Sequence, residues 1–285
     1  MHPAPPTDLQ GLVDAFDQTT RAIIDLGLSL READFDRPTE CPGWTVKDQF
    51  SHVVGIEGWL EGEPPPEVDT SGLAHVKNEQ GAFIERFVEE RRGQSGPAIV
   101  QELQDVLAKR LSALHEPSLT VDSQVRGPFG PTTAAQALTL RTSDVWIHEQ
   151  DIRQALARPG NLDSAAASVF VSEIVAVFPR VVARDAKVPV GHAVILDVTG
   201  PVVARVGARV LLDPDRKPWG EELFTGGSHD EDTASAPVET TSIILSTDAL
   251  TRRAAGRRSV DDTVYTVTGD EEVARDVLEA LVLTS

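Results

Sequence analysis

The spacing of apolar residues changes at Pro159-Gly160, and that change limits the architectures open to the chain. Before it, apolar side chains recur every three to four residues over long segments. From residue 8 to about 30, Leu9, Leu12, Val13, Phe16, Ile23, Ile24 and Leu28 mark the buried stripe of a helix, with Gly27 near its end. A polar loop, READFDRPTECPGW, then leads to Thr45. Thr45-Val46-Lys47-Asp48 has the form of a capping box, in which hydroxyl and carboxylate each satisfy a free backbone amide. The helix it opens runs through Phe50, Val53, Val54, Ile56 and Trp59 and stops before Pro64-Pro65-Pro66. A third helical stretch covers about residues 73 to 114, interrupted near 93–97. After a loop from 117 to 131, a fourth runs from about 132 to 157. Four amphipathic segments predict a bundle, whose shared core is where such folds build their sites.

Beyond Gly160 the pattern is mixed. A helix is expected from 164 to about 183. Alternating or β-branched runs at 193–198, 202–212 and 240–245 read as strands, with Thr199-Gly200-Pro201 turning between the first two. The polar stretch 213–237 reads as a loop with a short strand near Phe224. Ser246-Thr247 caps a helix ending at Gly256, residues 263–267 form a strand, and Gly269-Asp270 opens the last helix. The fold class is therefore α+β, with a four-helix bundle over residues 1–160 and a smaller α/β domain over 161–285.

A formal net charge of −19 lacks the basic face that phosphates require, which argues against nucleic acid and against an anionic membrane surface as partners. Cys41 is the sole cysteine, so the chain forms no internal disulfide and no cysteine-based zinc ribbon. The N-terminal residues lack a basic segment followed by an apolar one, and no apolar stretch reads as long enough to cross a bilayer. The expected location is the cytoplasm.

The chemistry concentrates on two helices. In RTSDVWIHEQD, Asp144 and His148 lie four residues apart, one turn along a single face, and Asp151 continues that face. A carboxylate and an imidazole at this spacing can point at one ion. The second helix offers His52, one turn after Asp48. His52, Asp144 and His148 give two nitrogens and one oxygen with open positions left over, the pattern of catalytic zinc. The competing reading is an ordinary helix face, with Asp151 paired to an arginine and Trp44, Trp59 and Trp146 as plain core. Cys41 as a nucleophile is a weaker candidate, since it precedes a proline and His52 is better used at the metal. No P-loop, GxGxxG after a strand, or GxSxG is present.

PTECPGWTVKDQFSHVVG, followed much further along by RTSDVWIHEQDIRQAL, resembles the mycothiol-dependent maleylpyruvate isomerase family, part of the wider DinB-like metal-binding superfamily. LTRRAAGRRSVDDTVYTVTGDEEVARDVLEAL resembles that family's C-terminal domain. The resemblance implies a DinB-like bundle followed by a sterol-carrier-protein-like domain. It implies a divalent metal, zinc by preference, held by His52, Asp144 and His148. It also implies mycothiol, the low-molecular-weight thiol of actinobacteria, as co-substrate, with an electrophilic small molecule as the second partner. The isomerase itself is expected to carry Glu at the acid position. Asp144 is one methylene shorter, so the ion must sit nearer the helix or a water must bridge.

On this reading Asp48 and Asp151 are candidates to hydrogen-bond the ligating imidazoles. Arg257 and Arg86 are candidates to meet an anionic substrate, and His75 and Asn78 to face the pocket. The leading function is a metal-dependent thiol transferase or isomerase. The alternatives are a metal-dependent hydrolase using bound water, and a non-catalytic metal-binding protein.

Overall fold

The computed structural model describes residues 4–224 and 238–284, and it divides into two compact units, Pro5–Gly160 and the residues from Asn161 onward. The first unit is built on helices. α1 (Leu9–Leu28) is capped by Asp8, whose carboxylate accepts from the Gly11 amide at 2.8 Å. A single turn, α2 (Glu32–Phe35), interrupts the loop that follows. α3 (Val46–Leu60) starts at Thr45 with the expected reciprocal capping bonds to Asp48.

The third helical stretch is two separate helices. α4 (Glu79–Glu89) begins six residues later than the periodicity suggests, because Asn78 caps it. α5 (Gly96–Leu114) restarts at Ser95, with Pro97 in its first turn. Gly96 is required there: a Cβ would lie 2.2 Å from the Phe35 ring, which fills the corner between α2 and α5. The expected loop between 117 and 131 contains a hairpin, β1 (Gln124–Gly127) and β2 (Gly130–Thr133), which runs directly into α6 (Ala134–Ala155). Its strands are four residues each and rich in Gly and Pro, too short to show a period.

α1, α3, α5 and α6 pack in a closed ring, α1 against α5 and α6, and α3 against α5 and α6. Phe16, Ile23, Phe50, Val53, Ile99, Leu103, Leu138, Val145 and Ile152 fill the centre.

The second unit is a mixed five-stranded sheet with helices. The strands are β3 (Ala193–Thr199), β4 (Val203–Leu212), β5 (Pro218–Leu223), β6 (Thr240–Leu245) and β7 (Tyr265–Thr268), in the order β5-β4-β3-β6-β7. Among the described residues only the β3–β6 pair is parallel in this sheet. β5, which ends at Leu223, is the short strand expected near Phe224 within the polar stretch, and residues 225–237 of that stretch lie outside the described residues. Pairing puts Val194 opposite Ala208 and Leu196 opposite both Val206 and Ile243, so these buried side chains share one face. α7 (Ala165–Arg180) packs on β4 and β5, α8 (Thr247–Ala254) on β3, and α9 (Glu271–Ala280) on β6 and β7.

Together with the π-helical turn that follows it, α7 spans Ala165–Asp185, long and apolar enough by length and composition to cross a membrane. This corrects the reading that no such stretch exists. Most of that segment is buried against its own unit, where Phe170, Ile174 and Phe178 are core.

Gly220 shows how closely α7 seats on the sheet, since a Cβ there would lie 2.2 Å from the Pro179 carbonyl oxygen. Backbone cannot rotate aside as a side chain can. Gly220→Ala is expected to cost about 1–3 kcal/mol through overpacking. A lower urea midpoint by circular dichroism checks it, and an unchanged midpoint would show that α7 and β5 do not approach this closely.

Candidate metal centre

α3 and α6 pack side by side, and their capping boxes fix where each begins. From those starting points the helical period brings His52 on α3 to face Asp144 and His148 on α6. His52 Nε2 lies 3.0 Å from Asp144 Oδ2, and His148 Nε2 lies 3.6 Å from Asp144 Oδ1. The imidazole centroids are 4.5 Å apart, and one ligand atom from each of the three residues falls within 4.8 Å of the others. It is the one His/Cys/Asp/Glu group with metal-ligand spacing among the described residues.

The donor set fits a divalent ion. His148 Nδ1 is 2.5 Å from Gln49 Oε1, and Gln49 Nε2 in turn donates to Thr39 Oγ1 at 2.8 Å. That second bond sets the amide so that its oxygen faces the ring. His148 therefore carries a proton on Nδ1, and Nε2 is the nitrogen turned to the site. Asp151 Oδ2, fully buried, lies 3.4 Å from the same Nδ1. On His52, Nε2 also faces the site, while Nδ1 is buried without a hydrogen-bond partner. Both imidazoles are buried, but the Asp144 side chain keeps 29% of its exposure, so the cluster opens to solvent on the carboxylate side.

Trp44 covers another side. Its ring stands 5.2 Å from that of His52 and 5.7 Å from that of His148. Its Nε1–H donates to buried Glu85 Oε2 at 2.8 Å, and Arg92 holds the other Glu85 oxygen at 2.7 Å. The indole is thus pinned by α4 over a site built by α3 and α6.

Charge follows from this geometry. Burial pushes His52 down to about 4, a loss that Asp144 only partly offsets, so the ring is neutral at pH 7. Burial also opposes charge on His148, but the carboxylates of Asp144 and Asp151 outweigh it and raise its pKa. Burial alone would raise Asp144, yet Arg141 and the two histidines hold it well below the usual carboxylate range.

Other sequence candidates land elsewhere. Asp48 does not reach an imidazole: one oxygen caps Thr45 and the other lies 3.6 Å from Arg92 Nε, so the group holding His148 is its neighbour Gln49. Asn78 spends its side-chain oxygen on the Gly81 amide as the α4 cap. His75 packs on Gly43, with Nε2 3.0 Å from Glu85 Oε2, and so belongs to the Trp44 support. Arg86 lies on α4, its Nε buried without a partner. Arg257 belongs to the second unit, where Nη1 donates to the Ala255 carbonyl at 2.8 Å. The sequence reading missed Gln49, Trp44, Glu85, Glu57 and Arg141. Arg141 alone had a visible signal, three residues before Asp144 on the same helical face.

The ring of helices, the five-stranded sheet and the His–Asp–His cluster define a maleylpyruvate-isomerase-like fold with a candidate metal site. Residues 16–153 match the mycothiol maleylpyruvate isomerase N-terminal domain. The solved mycothiol-dependent maleylpyruvate isomerase superposes with a TM-score of 0.52 at 16% identity, over 92% of this chain and 94% of that one. A histidine-to-alanine mutant of that isomerase superposes with a TM-score of 0.50 at the same identity and coverage. Likeness at this identity shows shared fold. Uncharacterized proteins from two strains of Mycobacterium tuberculosis are 30% identical over 122 residues, 42% of this chain and 46% of each relative. The match thus spans under half the length of those curated relatives.

In metal-free protein, NMR titration of the imidazoles should show one site histidine protonating only near pH 4 and the other holding its proton above the ordinary 6.5. The signs oppose each other. His52 costs stability as pH falls from 6.5 toward 4, because the unfolded chain takes up that proton first. His148 contributes stability below 6.5 and loses it as pH rises through its raised pKa. Two rings titrating together near 6.5 would refute the buried arrangement.

Proposed function

We propose that the protein is a metal-dependent thiol transferase or isomerase that uses mycothiol against an electrophilic small molecule. The observation that carries this reading is the His52–Asp144–His148 cluster, with both Nε2 atoms turned toward a partly exposed carboxylate. Its presence inside a domain matched to the mycothiol maleylpyruvate isomerase N-terminal family supports the choice of thiol. On this reading the bundle is DinB-like, the second unit is sterol-carrier-protein-like, and the protein works in the cytoplasm.

His52 Nε2, His148 Nε2 and an Asp144 oxygen would hold the ion, with zinc the preferred metal for two imidazoles and a carboxylate. A divalent ion held there would lower the pKa of a thiol and so make the thiolate nucleophile available. The chain's own groups do the rest. Gln49 holds a His148 proton on Nδ1, so Nε2 is the nitrogen that would give up its proton in favour of the ion. Depressed basicity keeps the His52 lone pair available at neutral pH. Trp44 bars water from one side, and the exposed flank of Asp144 is the opening for thiol and electrophile. Reversible addition of thiol to a double bond, rotation and departure of the thiol give isomerisation. Release of the adduct gives transfer.

Elemental analysis of tag-free protein is expected to find stoichiometric divalent metal in the wild type and its loss in His148→Ala. Consumption of electrophiles such as maleylpyruvate should then require added mycothiol. Metal-dependent turnover without the thiol would favour a hydrolase using bound water. A wild type that takes up no metal from zinc solution would leave a bundle without this chemistry.

A further inference from the structure

Asp144 is the end of a chain of alternating charges that crosses three helices. Arg141, one turn earlier on α6 and 2% exposed, donates through Nη1 to Asp144 Oδ2 at 2.7 Å. Its Nε donates to Glu57 Oε1, from α3, at 2.6 Å. Glu57, 1% exposed, accepts at its other oxygen from Arg110 Nε of α5 at 2.8 Å, and Arg110 Nη1 reaches Glu61 Oε1 at 2.6 Å. Stability alone gives little reason for such an arrangement, because well-packed apolar residues of similar volume often stabilise as much or more. What buried ion pairs supply is direction.

We propose that Arg141 positions Asp144 to ligate the metal through one oxygen, with Glu57 holding Arg141 in place. This rests on the metal-centre reading above. Oδ2 is engaged by the guanidinium and faces His52 Nε2, which makes it the poorer donor to an ion. Oδ1 makes no bond to Arg141 and lies toward His148 Nε2, so it is the oxygen left to coordinate. One-oxygen ligation keeps coordination positions open for incoming groups. Glu57 balances the positive charge that Arg141 would otherwise set beside a cation.

The same geometry gives the short acid a purpose. An aspartate carboxylate stays within reach of a guanidinium three residues back. A glutamate would carry it up to about 1.5 Å further out, one more carbon–carbon bond, and so away from the place where Asp144 Oδ2 meets Arg141 Nη1 at 2.7 Å. The acid type at 144 and the arginine at 141 therefore act as a pair.

Zinc affinity of the full chain, measured by competition with a chromogenic chelator, tests this. Arg141→Lys keeps the charge but lacks the rigid planar fork that spans Asp144 and Glu57, and should weaken zinc roughly 10–100-fold, as lost supports of metal ligands do. Glu57→Gln should weaken it in the same direction. In the D144E background, R141K should change zinc affinity by less than about threefold, the non-additivity expected of two residues that act through one contact. Thermal unfolding of the metal-free proteins tracks folding separately. Equal weakening by R141K in both backgrounds, in step with the melting temperature, would make Arg141 a structural residue only and overturn the proposal. Unchanged affinity in R141K would also overturn it while leaving the metal centre intact. A wild type that binds no zinc would remove the metal centre, and this proposal with it.

Discussion

The helices that carry the site are joined by a buried ion pair as well as by apolar packing. Glu57 of α3 and Arg141 of α6 meet at 2.6 Å, almost without exposure. Such a contact tolerates little error, because separating the charges in a dry interior leaves each one unpaired at a cost of about 3–5 kcal/mol. It fixes how far α3 may slide or turn against α6. His52 lies five residues before Glu57, and Asp144 lies three after Arg141. Alignment of the charged pair thus carries the histidine to the carboxylate, and Arg110 extends the same constraint to α5.

Local chemistry made much of this legible in the sequence. The capping box at Thr45 set the start of α3, and the i,i+4 spacing of Asp144 and His148 put them on one face. The change of hydrophobic period near Gly160 separated a helical region from a mixed sheet. What escaped was set by contacts distant in the chain. Gln49 pairs with His148 across 99 positions and Glu57 with Arg141 across 84, and no local spacing signals either. Asp48 looked like a support for the imidazoles because it precedes His52 by one turn, but the capping bond claimed its carboxylate first. The hairpin before α6 escaped because Gly and Pro, which read as loop, form short strands once their neighbours pair. β5 was legible as a short strand near Phe224, though the polar composition around it hid where it begins.

The surroundings of the cluster divide the work by element. α3 and α6 provide ligand atoms, α4 braces the covering indole through Glu85, and the loop before α3 supplies both Trp44 and the Thr39 hydroxyl that orients Gln49. That loop is tied back on itself by the Pro38–Thr45 bridge and by the bond from the Val46 amide to the Arg37 carbonyl. A segment that composition marks as mere connection is therefore part of the wall around the cluster.

The nearly complete burial of α3, in which only Lys47 and Trp59 escape full enclosure, also bears on how such a chain can change over generations. One residue inserted between Thr45 and His52 would rotate everything after it by about 100° and advance it about 1.5 Å. Histidine, glutamate and core face would be misdirected together. The turn at Pro128-Phe129, with Phe129 largely in solvent, can lengthen or shorten without moving a ligand. Relatives that keep this centre should therefore vary in length at the hairpin and hold a constant count along α3, so that gaps in an alignment become a gauge of where the chemistry lies.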